Sequence, residues 1–92
     1  MKRGKILRTI TEKAGLHSEA LPGVPLVELN GDDRVLVENH KCVVGYKDRE
    51  ILVRVCYGLL RFSGNGLVLA CAKKGQLIIH GKIDSITLLR GE

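Results

Sequence analysis

The residues of this chain best suited to chemistry stand together at positions 38 to 42. Glu38, Asn39, His40, Lys41 and Cys42 bring a carboxylate, an amide, an imidazole, an ammonium group and a thiol into one short run. Such a run could serve acid–base chemistry through the carboxylate and the imidazole, or thiol chemistry with the imidazole as base. The imidazole and the thiol could also supply two ligands for a metal ion. An active site and a metal site are therefore the first hypotheses for this segment.

The rest of the sequence does not complete either kind of site. No third ligand stands at a spacing typical of a zinc site, and the chain has no glycine-framed nucleophile, paired-carboxylate motif or phosphate-binding loop. We therefore predict a chain without catalytic residues, metal or cofactor. On this interpretation residues 38 to 41 form a polar turn between two strands, with Asn39 at its hinge, because asparagine tolerates left-handed backbone conformations.

From Leu26 onward, apolar and polar residues alternate with the period of two that is typical of β-strands. Glycines and short polar runs interrupt this pattern often enough to delimit about seven or eight short strands. Because the connections are too short for parallel crossovers, the sequence predicts an all-β domain: a small antiparallel β-roll, barrel or two-layer sandwich. A β-solenoid is the structural alternative, with glycines at the corners between stacked rungs. In the last strand Ile83 is out of phase with Ile86 and Leu88, which predicts a β-bulge near Asp84.

The first residues differ in composition from the rest of the chain. Residues 1–16 predict a short basic amphipathic α-helix, residues 17–25 a linker containing proline and glycine, and residues 26–92 the β-domain. Glu12 is the only acidic residue of the predicted helix, whereas the β-domain is close to neutral. We expect the basic side of the helix to contact an anionic membrane surface or a partner. That side consists of Lys2, Arg3, Lys5, Arg8 and Lys13.

Hydropathy and cysteine usage bound the location and the covalent chemistry of the chain. No apolar run is long enough to cross a bilayer, and the N-terminal residues lack the apolar core of a secretory signal, so we expect a cytoplasmic protein. Cys42, Cys56 and Cys71 are an odd number of cysteines at wide spacings, which does not predict a disulfide framework. Each lies in an apolar strand pattern, which predicts buried and unreactive thiols.

Two of the predicted strands are apolar on both of their faces. These are LVLACA at residues 67–72 and QLIIH at residues 76–80. Such strands are either buried on both sides or lie in an interface, and a chain of 92 residues has little else with which to cover them. We therefore predict a homo-oligomer whose contacts include Leu67, Leu69, Leu77 and Ile79.

Several segments, taken in order, carry a resemblance to a known family. They are the strand after Pro25, the run VLVENHK, the segment around Tyr46, and the runs ILVRV, LLRFSGNGLVLA and LIIHGKIDSI. From about Leu21 to Leu89 the chain resembles the YabP/YqfC family of small sporulation proteins from endospore-forming bacteria. Within that family it is most similar to the YqfC branch.

The run at positions 38 to 42 holds both the strongest match and the clearest departure. Glu38, Asn39 and His40 match the family's most recognisable motif, and we expect them to fix a strand reversal and to contact a partner. Cys42 stands where the family usually has glycine, so a strand that begins at Cys42 fits this chain better than a glycine turn.

The resemblance implies a role in endospore formation, in spore coat or cortex morphogenesis within the mother-cell compartment. It also implies association with a membrane protein of the same process, and it carries over no catalytic residue. The resulting hypothesis is a structural or adaptor protein that self-associates. The alternative is an Sm-like barrel that binds single-stranded RNA, because IHGKIDSI loosely resembles the closing strand of such barrels. The near-neutral β-domain and the scarcity of aromatic residues argue against nucleic acid as a partner.

Overall fold

Between residues 23 and 91, the part of the chain that the computed structural model describes, the fold is an antiparallel β-sheet. The predicted helix of residues 1–16, with its basic side chains, lies outside the described residues, as do residues 17–22 of the predicted linker. The six strands pair in the spatial order β1-β2-β6-β5-β4-β3. Their bounds are β1 Leu26–Asn30, β2 Arg34–Glu38, β3 Cys42–Tyr46, β4 Glu50–Val55, β5 Gly58–Lys73 and β6 Gln76–Arg90.

The prediction of an all-β antiparallel fold is confirmed, and its number of strands is corrected. The predicted strands LLRFS and LVLACA are both parts of β5, and QLIIH and KIDSITLL are both parts of β6. The chain passes Gly64, Gly66 and Gly81 without reversing, so these glycines lie inside long strands rather than in turns. The β-solenoid alternative is wrong, because every neighbouring pair of strands in the described residues is antiparallel. The sheet is also open rather than a closed barrel, with β1 and β3 at its ends.

The long hairpin of β5 and β6 is strongly bent. A straight strand of the 16 residues of β5 would span about 50 Å, yet the longest dimension of the molecule is 39 Å. The pairing of β5 with β6 shifts register between Ser63 and Gly64, between Asn65 and Val68, and again after Leu69. Such shifts are β-bulges, which bend a strand and increase its twist. The predicted bulge near Asp84 is confirmed, because Ser63 pairs with Ser85 while Gly64 pairs with Ile83.

Glycine at position 64 is required where the bent strands approach each other. A Cβ atom on Gly64 would overlap the carbonyl oxygen of Lys82 in β6. Gly81, on the facing strand, has a φ angle of 132°, which non-glycine residues rarely adopt, and an added Cβ would run into the backbone of Gly66. The glycines that resemble turn residues in the sequence therefore lie at the bend of the hairpin, where they allow the two strands to approach closely.

The bend divides the sheet into two halves that share one core. The first half-sheet consists of β1, β2, residues 76–80 of β6 and residues 68–73 of β5; the second consists of β3, β4, residues 58–63 of β5 and residues 85–90 of β6. Buried side chains of both halves form a single aliphatic cluster around Phe62, so one continuous sheet packs on itself as two layers. The buried members are Val35, Val37, Ile51, Val53, Val55, Leu60, Phe62, Leu67, Leu77 and Ile79.

Candidate functional site

Residues 38–41 connect strands at different places in the sheet, and we call them the crossover segment. They leave β2, which lies between β1 and β6, and enter β3, which lies at the opposite end of the sheet. The prediction of a tight reversal between two adjacent strands is therefore wrong, because β2 and β3 are not neighbours. The hinge itself is confirmed: Asn39 has a φ angle of 66°, the one positive value at a non-glycine residue within residues 23–91.

Three hydrogen bonds hold the crossover segment to three different parts of the fold. The main-chain N–H of Asn39 donates to the carbonyl oxygen of Gly75 at 2.8 Å, in the turn between β5 and β6. The Asn39 side-chain Nδ2 donates to the carbonyl oxygen of Val24 at 2.9 Å, just before β1. The main-chain N–H of Lys41 donates to the carbonyl oxygen of Arg54 at 2.8 Å, in β4. Asn39 thus forms hydrogen bonds to the side of the first half-sheet, and Lys41 forms one to the second half-sheet.

The crossover segment is short enough to require the bend in the hairpin. Arg54 pairs with Leu59 near the start of β5, whereas Gly75 follows the end of β5 at Lys73. In a straight strand Leu59 and Lys73 would be about 46 Å apart at the usual rise per residue. The two peptide units between Asn39 and Lys41 span about 7 Å at most. Both hydrogen bonds can form together because the hairpin folds back, so this segment fastens the two layers of the sheet to each other.

The imidazole of His40, in the crossover segment, is partly removed from water. Its side chain is half-buried, and its Nδ1 atom is buried without a hydrogen-bond partner among the described residues. Burial lowers the pKa of the His40 imidazole below the usual 6.5, because desolvation disfavours the charged form. The crossover segment thus holds His40 where the charged form of the imidazole is disfavoured.

The described residues do not assemble the chemistry that the sequence of this segment suggested. Nowhere in residues 23–91 do three or more His, Cys, Asp or Glu side chains come close enough together to hold a metal ion. Cys42 is exposed at the start of β3, and Glu38 is half-buried at the end of β2, opposite Gln76. What the crossover segment offers is a specific backbone shape with a partly exposed polar surface.

The side chains predicted to mediate self-association lie elsewhere than expected. Leu67, Leu77 and Ile79 are buried in the chain's own core, and Leu69 packs against that core. Their apolar character is thus explained by the two layers of one chain, and they do not form a surface for a second copy. The same part of β5 also contains smaller apolar residues that are exposed, among them Ala70 and Ala72.

The prediction of buried thiols is also wrong. Cys42 and Cys56 are exposed and Cys71 is partly exposed. Cys42 lies on the same row as Arg54, on the side of the sheet that faces away from the core, and Cys56 follows the end of β4 in a turn. Apolar neighbours in the sequence did not distinguish the inward face of these strands from the outward one.

A feature that the sequence did not reveal is an open edge of the sheet along the second half of β6. Residues 76–80 of β6 pair with β2, but residues 85–90 pair with β5 alone. Where the two parts meet, the N–H groups of Gly81 and Ile83 donate to the carbonyl oxygens of Asp33 and Asp32. Beyond Ile83, no described strand lies on that side of β6. This edge depends on strand order, which no local sequence pattern encodes.

An exposed ion pair marks the corner where this edge begins. Lys82 Nζ donates to Asp32 Oδ2 at 3.0 Å. The hydrogen bond and the charge of Lys82 lower the pKa of the Asp32 carboxyl, and Asp32 in turn raises the pKa of the Lys82 ammonium. Since both groups are solvated, the pair orients the corner more than it stabilises the fold.

Comparison with known proteins identifies a family. The model of the YabP family matches residues 24–92, which include every strand described above. No curated protein and no solved structure matches the chain. Among residues 23–91 there is no helix with the length and apolar character that crossing a membrane requires.

Proposed function

The chain belongs to the YabP family, and from this premise we propose that it is a non-enzymatic sporulation protein of the YqfC branch. In this proposal it is an adaptor that self-associates and works with a membrane-associated partner in spore coat or cortex morphogenesis. It acts in the cytoplasm of the mother cell, at the membrane surface. The observation that carries the proposal is the family match over the whole β-domain.

The character of the described residues supports a binding role over a catalytic one. Enzyme sites are usually concave pockets that contain titratable groups with perturbed pKa values. Within residues 23–91 no charged or polar side chain is buried. The pKa of the half-buried His40 is lowered by burial, and the shifted pKa values of Asp32 and Lys82 arise from an exposed ion pair. An aliphatic core with unpaired strand edges suits a module that recognises other proteins through main-chain groups.

The membrane part of the proposal rests on the N-terminal sequence. Basic residues close to an anionic leaflet contribute about 1 kcal/mol each to membrane binding. The five basic residues of the predicted helix would together hold the β-domain at a surface that contains anionic lipid. The same helix would place the β-domain beside a membrane-embedded partner.

Deletion of the gene in an endospore-forming host tests the proposed function. We expect deletion to lower the yield of heat-resistant spores and to leave visible defects in the coat or cortex by electron microscopy, with vegetative growth unchanged. Restoring the full chain should restore the spores. Normal spores with normal coat and cortex after deletion would overturn the proposal.

A second experiment tests the membrane contact separately. The full chain should float with vesicles that contain phosphatidylserine, and a variant with serine at positions 2, 3, 5, 8 and 13 should not. Vesicles of phosphatidylcholine alone are the matched control. Equal flotation of both proteins would contradict the role of the basic side chains and leave the sporulation role standing.

Binding of single-stranded RNA gains no support from the positions of the aromatic residues. RNA-binding sheets present several exposed rings on which bases stack. The chain has three aromatic residues, and Phe62 is buried in the core. The Arg90 guanidinium lies 5.3 Å from the centre of the Tyr57 ring, and the Tyr46 hydroxyl accepts a hydrogen bond from the Leu69 N–H. No row of rings is left for nucleotides.

A further inference from the structure

The second half of β6 is an unprotected strand edge. Within the described residues it pairs with β5 on one side and with nothing on the other. An unpaired edge presents a row of main-chain donors and acceptors that can extend the sheet into another chain. Residues 83–90, IDSITLLR, contain no proline, glycine or lysine, the residues that usually prevent such pairing. Their charged members are Asp84 and Arg90.

The other edges of the described sheet each carry some protection. β1 and β3 have five residues each, and β3 is interrupted by a bulge at Val44. Along the second half of β5, the Leu67 N–H donates to the carbonyl of Asp48 and the Leu69 N–H donates to the Tyr46 hydroxyl. Short strands, bulges and capped amides are recognised means of blocking edge pairing. After the bulge at Asp84, residues 85–90 of β6 have none of them within the described part of the chain.

The direction of the main-chain groups shows which of them are available. The Gly91 N–H donates to the Tyr57 carbonyl at 3.3 Å, and the Leu89 carbonyl lies against Gly58, so both groups point towards β5. In an antiparallel strand this direction alternates from one residue to the next. The N–H and C=O groups of Ile86, Leu88 and Arg90 therefore point outward, away from β5.

We propose that a second copy of this chain pairs antiparallel with β6 through residues 84–90, about a two-fold axis at Thr87. This inference rests on the self-association in the proposed function and names its surface. In this register Ile86 of one copy lies opposite Leu88 of the other and exchanges both main-chain hydrogen bonds with it, twice across the axis. The same arrangement joins the two sheets into one.

Charge and apolar area both fit a second copy. Antiparallel pairing about Thr87 places Asp84 of one copy opposite Arg90 of the other, whereas parallel pairing in register would oppose like charges. Leu88 is 50% exposed although it shares a row with the buried Val53 and Leu60. Pairing covers Leu88 with the Ile86 side chain of the other copy and so closes the open side of the core.

The oligomeric state of the full chain and of two lysine variants tests the proposal. Sedimentation of the full chain over a range of concentrations should reveal a dimer of the 10.1 kDa protomer. Leu88→Lys should raise the dimer Kd by at least about tenfold, because lysine on an edge strand opposes pairing. Val68→Lys is the matched control, since Val68 is 49% exposed in β5 and away from the proposed axis; it should leave the Kd unchanged.

A charge exchange tests the register. Asp84→Arg places arginine opposite Arg90 and should weaken the dimer, as should Arg90→Asp. The double variant with both changes should restore dimerisation, which a merely structural role of either residue would not produce. Circular dichroism establishes that each variant is folded.

The possible failures are distinct. A full chain that stays monomeric would overturn both the edge and the self-association in the proposed function. An oligomer that tolerates Leu88→Lys would overturn the β6 edge alone. Neither result bears on the spore phenotype of the deletion, which tests the sporulation role.

Discussion

The main-chain N–H of Asn39 lies 2.8 Å from the carbonyl oxygen of Gly75 and ties the crossover segment to the tip of the β5–β6 hairpin. Two residues later the Lys41 N–H donates to Arg54 in the other layer. The bend of the hairpin and the backbone shape at Asn39 therefore depend on each other. The polar run that looked like a compact set of catalytic groups therefore joins the two layers of the sheet through main-chain hydrogen bonds.

Asn39→Ala should destabilise the fold by about 1–3 kcal/mol. Alanine loses the side-chain hydrogen bond to the Val24 carbonyl, and it adopts a left-handed conformation at a cost of about 1–2 kcal/mol. Asn39→Gly is the matched variant, because glycine accepts the φ angle of 66° and loses the side-chain bond alone. It should fall between the wild type and the alanine variant in urea denaturation. An alanine variant as stable as the wild type would refute the structural role of this residue.

Gly64→Ala should destabilise the fold severely, by about 3 kcal/mol or more, because overpacking against a rigid backbone cannot be relieved by a rotamer change. The added methyl group would overlap the carbonyl oxygen of Lys82 across the bent hairpin. Gly66→Ala makes the comparison informative, since a Cβ there meets nothing, though the φ angle of 63° remains unfavourable. We expect it to cost about 1–2 kcal/mol. Thermal unfolding of both variants would measure the difference, and equal losses would contradict the close approach at Gly64.

The thiols give a test of which strand face is outward. Ellman's reagent should react rapidly with Cys42 and Cys56 in the folded protein and more slowly with Cys71, because the first two are exposed. Single Cys→Ser variants assign each phase, and the unfolded chain in urea gives the reference rate. If all three thiols reacted only after unfolding, the prediction of buried thiols from the sequence would be correct and the exposed positions of Cys42 and Cys56 would be contradicted.

Local patterns in the sequence predicted the local features of this fold and missed those that depend on distant pairing. The alternation from Leu26 onward predicted strands, the left-handed tolerance of asparagine predicted the hinge, and the misplaced Ile83 predicted the bulge near Asp84. A glycine such as Gly64 is compatible with a turn or with a close approach of two backbones. The structure shows the close approach, because β5 and β6 bend at this point and a Cβ atom would overlap the Lys82 carbonyl oxygen.

The destination of the crossover segment and the location of the open edge follow from strand order, which no short window of sequence contains. LVLACA looked apolar on both faces because its exposed positions, Val68, Ala70 and Ala72, are also apolar. Burial still alternates along this segment, but hydropathy alone did not separate its core positions from its surface positions. An assignment of Leu67 to a contact surface was therefore natural from the sequence and is excluded by its burial in the core.

Stability should decline as the pH falls below about 6.5, the usual histidine pKa, and His40 should contribute to that decline until the pH has passed below its lowered pKa in the folded state. Because burial lowers the pKa of His40 in the folded state, the unfolded chain binds a proton more readily, and protonation pulls the equilibrium towards it. The contribution is fully present above the unfolded pKa and is lost as the pH falls through the folded pKa. Urea midpoints measured across this range give the slope.

His40→Gln removes the titrating group while keeping a polar side chain, so its urea midpoint should vary less with pH over the same interval. His80→Gln is the control, because it removes an imidazole that is exposed in β6 and lies outside the crossover segment. If the urea midpoint of His40→Gln varied with pH as much as that of the wild type, His40 would not be the group that senses the proton. The same conclusion would follow if the pH dependence decreased in His80→Gln alone.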